Sequence, residues 1–267
     1  MKYRMKITLL LAVIGGIFLA FVYVNPYTGS ILLSEFVLQL SGSRGEFALG
    51  NSLSELLDFS MRMLPGYIFC AFIGTELYQS FCTASVYIFS RHPSRLGWYV
   101  KEVWGVLSAA ALFMVFQCIV ALITTFVRYD VIVDGAGVGL MIYHLVIYIS
   151  WLFSVAMLIN LLAIHLGGEA AYISVIGGHL VLVALLFFLN DDSLPILRCV
   201  NPVSHLVIAW HKSTSELLNS VLNTAYQNLY LEGTLSFMLL ISVIVTVAEG
   251  VVIKKHDLLI SNMETGG

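Results

Sequence analysis

Long apolar runs alternate with shorter polar segments along this chain. Six of the runs, at residues 7–24, 64–85, 103–127, 139–164, 171–189 and 234–253, are long enough to cross a bilayer as helices. A helix rises about 1.5 Å per residue and the hydrocarbon is about 30 Å thick, so about 20 apolar residues suffice. The pattern predicts an all-α polytopic protein with six transmembrane helices, forming a single transmembrane domain over residues 1–267. The first run follows Lys2, Arg4 and Lys6 and so resembles a signal peptide. The residues after it, Tyr23, Val24, Asn25, Pro26 and Tyr27, offer no small-x-small cleavage site, so it is expected to stay as a span.

Two longer polar segments, 25–63 and 190–233, fall on one side of the six spans. Neither has the composition of a folded domain, and both read as short interfacial helices. Leu32, Leu33, Phe36, Val37 and Leu40 recur at helical spacing in the first. A second piece starts at Ser52 with Glu55 three residues on, a capping-box pattern, followed by Leu53, Leu56, Leu57, Met61 and Leu64 on one face. In the later segment Ser213 and Glu216 make the same pattern ahead of Leu217, Leu218, Val221, Leu222, Ala225 and Leu229. Packing accounts for such stripes in the first instance; a lid over an outer vestibule is the alternative.

Composition agrees with the pattern. The chain is 59% hydrophobic and 11% charged, with mean hydropathy +0.93. A soluble domain carries about 25% charged residues. Lysine and arginine concentrate on the side holding Lys2, Arg4, Lys6, Arg91, Arg95, Lys101, Lys254 and Lys255. The opposite side mixes fewer basic residues with many acids. The positive-inside rule therefore places both termini in the cytoplasm and the protein in the cell membrane. Cys70, Cys82 and Cys118 fall inside spans and Cys199 stands alone, so no disulfide framework follows.

The chain lacks a phosphate-cradling G-x-x-x-x-G-K-[ST] loop, an H-E-x-x-H metal motif and a G-x-S-x-G nucleophile elbow. Its histidines are scattered without metal spacing. No enzyme, cofactor, metal or nucleic-acid partner is expected. Polar residues inside the spans carry the next signal. Glu76, Gln79, Ser80 and Thr83 stand at i, i+3, i+4 and i+7 on the inner half of the second span. A charged Glu76 against lipid costs about 2.5–3.5 kcal/mol, so it must face a partner helix or a wet cavity, or stay protonated. The stripe is the candidate translocation path, with helix–helix contact as the alternative. Ser242, Thr246 and Glu249 repeat the device in the sixth span, where Glu249 is expected to snorkel to the inner surface.

The inner segment "YIFSRHPSRLGWYVKEVW" (87–104) sets Arg91, His92, Arg95 and Lys101 among Phe89, Trp98, Tyr99 and Trp104. Pro93 prevents a continuous helix, and Ser94 is placed to cap a new short helix leading into the third span. As a membrane feature alone, this is a positive-inside anchor with an aromatic belt. Together with "LPILRCVNPVSHLVIAW" (194–210), which holds Asn201-Pro202 after the fifth span, and with the topology of nearly the whole chain, it resembles the type-2 ABC transporter permease family. Within that family it resembles small bacterial permease-like subunits linked to peptide export or bacteriocin self-protection. The resemblance implies a coupling element at Arg91, His92, Arg95, Trp98 and Lys101 that docks on a separate cytoplasmic ABC ATPase. It also implies a second permease copy or paralogue. The family often carries an amphipathic helix before the first span, whereas six residues precede it here. Two other classes stay open: a non-transporting membrane interaction or immunity protein, and a proton-coupled secondary transporter using Glu76.

Overall fold

The computed structural model describes residues 2–26, 28–42, 52–87, 95–188, 199–222 and 229–255. Helix α1 (Lys2–Tyr23) leads to a short strand β1 (Ser30–Leu32) and helix α2 (Leu33–Ser41). Next come α3 (Ser52–Ile73), α4 (Glu76–Tyr87), α5 (Arg95–Arg128) and strand β2 (Asp130–Ile132). Helices α6 (Gly135–Leu166) and α7 (Gly168–Phe188) follow. Two 3₁₀ turns (Ser204–Leu206 and Ile208–Trp210), a single turn α8 (Glu216–Asn219) and helix α9 (Leu231–Lys255) complete the chain. Six stretches are long and apolar enough to cross a membrane: α1, α3 with α4, α5, α6, α7 and α9. This is an all-α polytopic membrane protein.

Helix α6 is the hub. It is apolar around its whole circumference, which suits a helix surrounded by others rather than one presenting a stripe. It packs against α2, α3, α4, α5, α7, α8 and α9. Helix α1 lies along α5, α7 along α6 and α3, and α9 along α6 with a smaller contact to α5. Asp134 fixes the start of α6: its Oδ2 accepts from Gly137 N (3.1 Å) and its Oδ1 from Ser34 N (2.9 Å). One side chain thus caps α6 and pins the first turn of α2. Burial pushes this carboxyl up, but those donors outweigh it and hold it below the usual aspartate range. Helices α6 and α7 are joined by Gly167 alone, whose φ of 80° suits a residue without a Cβ.

The interfacial helix expected over 32–40 is α2, with Leu33, Phe36, Val37 and Leu40 all buried. Leu32 belongs instead to β1, which pairs in parallel with β2 in the register Ser30↔Asp130, Ile31↔Val131 and Leu32↔Ile132. Three expectations are corrected. The piece starting at Ser52 is not a separate interfacial helix, because α3 runs unbroken from Ser52 to Ile73 through Pro65. The second span is instead interrupted lower down, between α3 and α4. Ser213 does not cap a long helix: α8 is one turn, Ser215 holds its N-cap position, and the Ser213 hydroxyl donates to Glu232 (2.8 Å). The same hydroxyl oxygen accepts from Ser215 N (3.1 Å), closing a local turn just ahead of α8 rather than capping it.

Candidate functional site

The break in the second span is built from both sides. Gly74 N donates to Cys70 O (2.8 Å), closing α3, and Gln79 N donates to Thr75 O (3.0 Å), opening α4. The freed N–H of Tyr78 donates to Oδ1 of Asn160 on α6 (2.9 Å), while Asn160 Nδ2 donates to Ala156 O (2.8 Å). Backbone groups released inside a membrane must be satisfied by neighbouring helices, and the fully buried Asn160 does this. Replacing Asn160 with leucine is expected to lower the thermal stability of the detergent-solubilised protein by about 1 kcal/mol, the scale of an interhelical hydrogen bond in a bundle. An unchanged melting curve would remove this role.

Glu76, Gln79, Ser80 and Thr83 all lie on α4, directly after the break. Glu76 and Ser80 are half-buried; Gln79 and Thr83 are exposed on the outside of the bundle. Gln79 Nε2 donates to Thr75 Oγ1 (3.3 Å) and Thr83 Oγ1 to Gln79 O (3.1 Å). The four residues share one helix edge, and two of them face away from the other described residues. Arg91 and His92 of the basic segment lie outside the described residues. Arg95 is half-buried and is the first residue of α5; Lys101 is exposed. Trp98 packs its ring on Phe81 of α4, with centroids 5.9 Å apart. One residue on, Tyr99 is buried and donates its hydroxyl to Thr246 O of α9 (2.6 Å). The base of α5 is thereby tied to both α4 and α9.

Glu249 contradicts the expectation that it snorkels. It is 0% exposed, and both carboxyl oxygens are buried without a hydrogen-bond partner among the described residues. Within the stripe Ser242 joins helices, its Oγ meeting Ser154 Oγ of α6 at 2.8 Å, while Thr246 Oγ1 donates to Ser242 O of its own helix (2.7 Å). Spacing revealed the stripe, but spacing cannot say how far a carboxyl sits from water.

The bundle interior holds polar groups that sequence reading missed. Arg62, read as part of the outer segment, is buried. Its Nε donates to Asp58 Oδ2 (2.9 Å), its Nη1 donates to Gln39 O, and its guanidinium lies 3.9 Å from the centroid of the Tyr23 ring. With Gln117 and His144 it lines a cavity of about 20 Å³, the size of a single water. Nη2 of Arg62 and Nδ1 of His144 have no partner among the described residues. Further along α6, Trp151 Nε1 donates to His179 Nε2 (2.9 Å), which in a neutral ring leaves Nδ1–H to donate to Tyr67 Oη (2.9 Å). Trp151 and His179 also form part of the wall of a cleft of about 470 Å³, lined by residues of α6, α7 and α9 and by Pro202. The signal for these groups was available: a lone arginine, glutamine or histidine in an apolar run has to find a partner.

Among the described residues, no three His, Cys, Asp or Glu side chains are grouped to hold a metal ion. No family model, curated protein or solved structure matches this chain.

Proposed function

We propose that this protein is the membrane-spanning permease subunit of an ABC transporter, working as a dimer with ATPase subunits supplied separately and exporting a peptide or amphiphilic substrate. The lysine and arginine asymmetry supports an orientation with both termini and the basic segment facing the cytoplasm across the cell membrane. The observation that carries the reading is the mechanical unit made by α4 and the base of α5. It is bounded above by the break at Gly74–Thr75 and clamped by Trp98 on Phe81. It flanks the basic segment on both sides. A force applied at that segment moves α4 about the break, and through Tyr99 it reaches α9. Gln79 and Thr83, exposed on α4, then face the second permease copy, and the translocation path runs between the two chains.

The test is charge reversal. Exposed ion pairs are individually worth only about 0–1 kcal/mol, so Arg91→Glu and Arg95→Glu are combined. The double variant is expected to insert normally and to lose most of its co-purifying ATPase, with a larger loss at low salt. Trp98→Ala is expected to weaken coupling through lost packing, lowering substrate-stimulated ATP hydrolysis more than complex yield. Normal yield and hydrolysis in the charge-reversed protein would reduce the segment to a topology anchor. A wild-type protein that purifies without an ATPase would favour a non-transporting membrane interaction protein.

A further inference from the structure

We propose that His205, Thr234 and His211 form a site for one proton, bound jointly by the two imidazoles. The geometry consists of four short contacts in a row. His205 Nε2 meets Cys199 O at 2.9 Å, and His205 Nδ1 meets Thr234 Oγ1 at 2.7 Å. The same hydroxyl meets His211 Nε2 at 2.8 Å, and His211 Nδ1 meets Val207 O at 2.9 Å. Both rings and the threonine are buried.

Counting hydrogens gives the inference. The two carbonyls can only accept, so each needs an N–H aimed at it. Each contact between an imidazole nitrogen and the hydroxyl needs one hydrogen between its atoms. The row therefore needs four hydrogens. Two neutral imidazoles and one hydroxyl supply three. In the neutral state one of the four contacts sets lone pair against lone pair, at the cost of an unmade buried hydrogen bond. One added proton completes the row. A second proton has no contact to complete, and it would set two buried cations side by side, the rings being 6.1 Å apart by centroid.

The surroundings set the pH at which the site loads. Burial pulls His211 down to about 4, helped by His205 and opposed by the Val207 and Ile208 carbonyls and by the Glu232 charge. Burial likewise lowers His205, and the Cys199 carbonyl opposes it. Glu232 on α9 is the anion acting on His211, held by Ser213 Oγ (2.8 Å), Thr214 N (3.1 Å) and Thr214 Oγ1 (2.9 Å). Lys212 follows His211 in the chain and directs its ammonium to the Tyr230 ring. From α6, Tyr148 places its hydroxyl on Leu206 O (3.2 Å), and Phe237 of α9 stacks on His205. Burial pulls loading below the ordinary histidine range and completion of the row pulls it back, and the pair titrates as one coupled transition. The unfolded chain takes two protons on these histidines near about 6.5, while the folded pair takes only one. Folding stability therefore declines as pH falls below about 6.5. The site lies at the end of the bundle opposite the basic segment, and the inference does not depend on the transporter reading.

The experiment is an NMR titration of the purified protein labelled with ¹⁵N-histidine, from about pH 7.5 to about pH 4, with signals assigned through His205→Gln and His211→Gln. The expected result is a single transition in which the two residues move together and gain one proton between them. Thr234→Ser keeps that curve, because it keeps the bridging hydroxyl. Thr234→Val uncouples the two histidines. Uptake of two protons, separate midpoints in the wild type, or no uptake while the protein stays folded would each overturn the proposal. Should the valine variant fail to fold, the wild-type proton count and the serine curve still decide.

Discussion

Gly16→Leu is expected to separate α1 from α5 and to destabilise the protein by about 3 kcal/mol or more. A Cβ at Gly16 would lie 2.6 Å from the backbone oxygen of Gln117 and 2.9 Å from Val120 Cβ. The first of these is main chain of a long helix and cannot turn aside. Overpacking ordinarily costs about 1–3 kcal/mol, and it costs more where backbone must yield. Without a hydrophobic force between helices in lipid, close backbone approach is what holds such a pair together. The check is thermal unfolding of the solubilised protein, compared with Gly177→Leu on α7. A Cβ at Gly177 meets nothing within 4 Å, so that control should melt like the wild type. Equal melting of the two leucine variants would mean that the α1–α5 contact is looser than described.

Removing Arg62 is the second large effect. Arg62→Met deletes the bond to Asp58, the bond to Gln39 O and the contact with the Tyr23 ring together. Breaking a buried pair from one side costs about 3–5 kcal/mol, mostly by stranding the other charge. The Asp58 side chain is 32% exposed, so water offsets part of that and about 3 kcal/mol is expected. Adding Asp58→Asn should recover a portion, because the stranded charge is then gone. Arg62→Lys should not substitute, since a single ammonium cannot serve Asp58, Gln39 and the ring in the same plane. The measurement is chemical unfolding of the single and double variants. A methionine variant as stable as the wild type would show that the buried guanidinium contributes nothing net.

The spans were legible because lipid imposes a requirement that is continuous along the chain, and the face of α2 was legible because Phe36, Val37 and Leu40 report a local period. The break after Ile73 was not. Gly74 looks tolerable inside an apolar run, and the group that makes the break stable, Asn160, lies far away in sequence. Ser213 shows the reverse failure: its local pattern was sound, but its oxygen accepts from Ser215 N and its proton goes to Glu232, so the helix starts after Ser215 instead. Glu249 was seen as part of a stripe, yet its depth depends on how α5, α6 and α9 close around it. The row through Thr234 is the extreme case. His205 sits in the first of two short turns and His211 directly follows the second, every residue between them is buried, and only folding brings α9 to bridge them.

The single-residue corner at Gly167 bears on how the chain is made. Helices α6 and α7 emerge from the ribosome with no connecting loop between them. Gly167, Gly168, Glu169 and Ala170 supply no lysine or arginine to choose a side. The two segments therefore partition into the bilayer as one hairpin, oriented by what precedes α6 and follows α7 rather than by their own turn. Trp151 and His179 meet across that hairpin, so the interhelical bond there joins neighbours in synthesis and needs no later span to complete it.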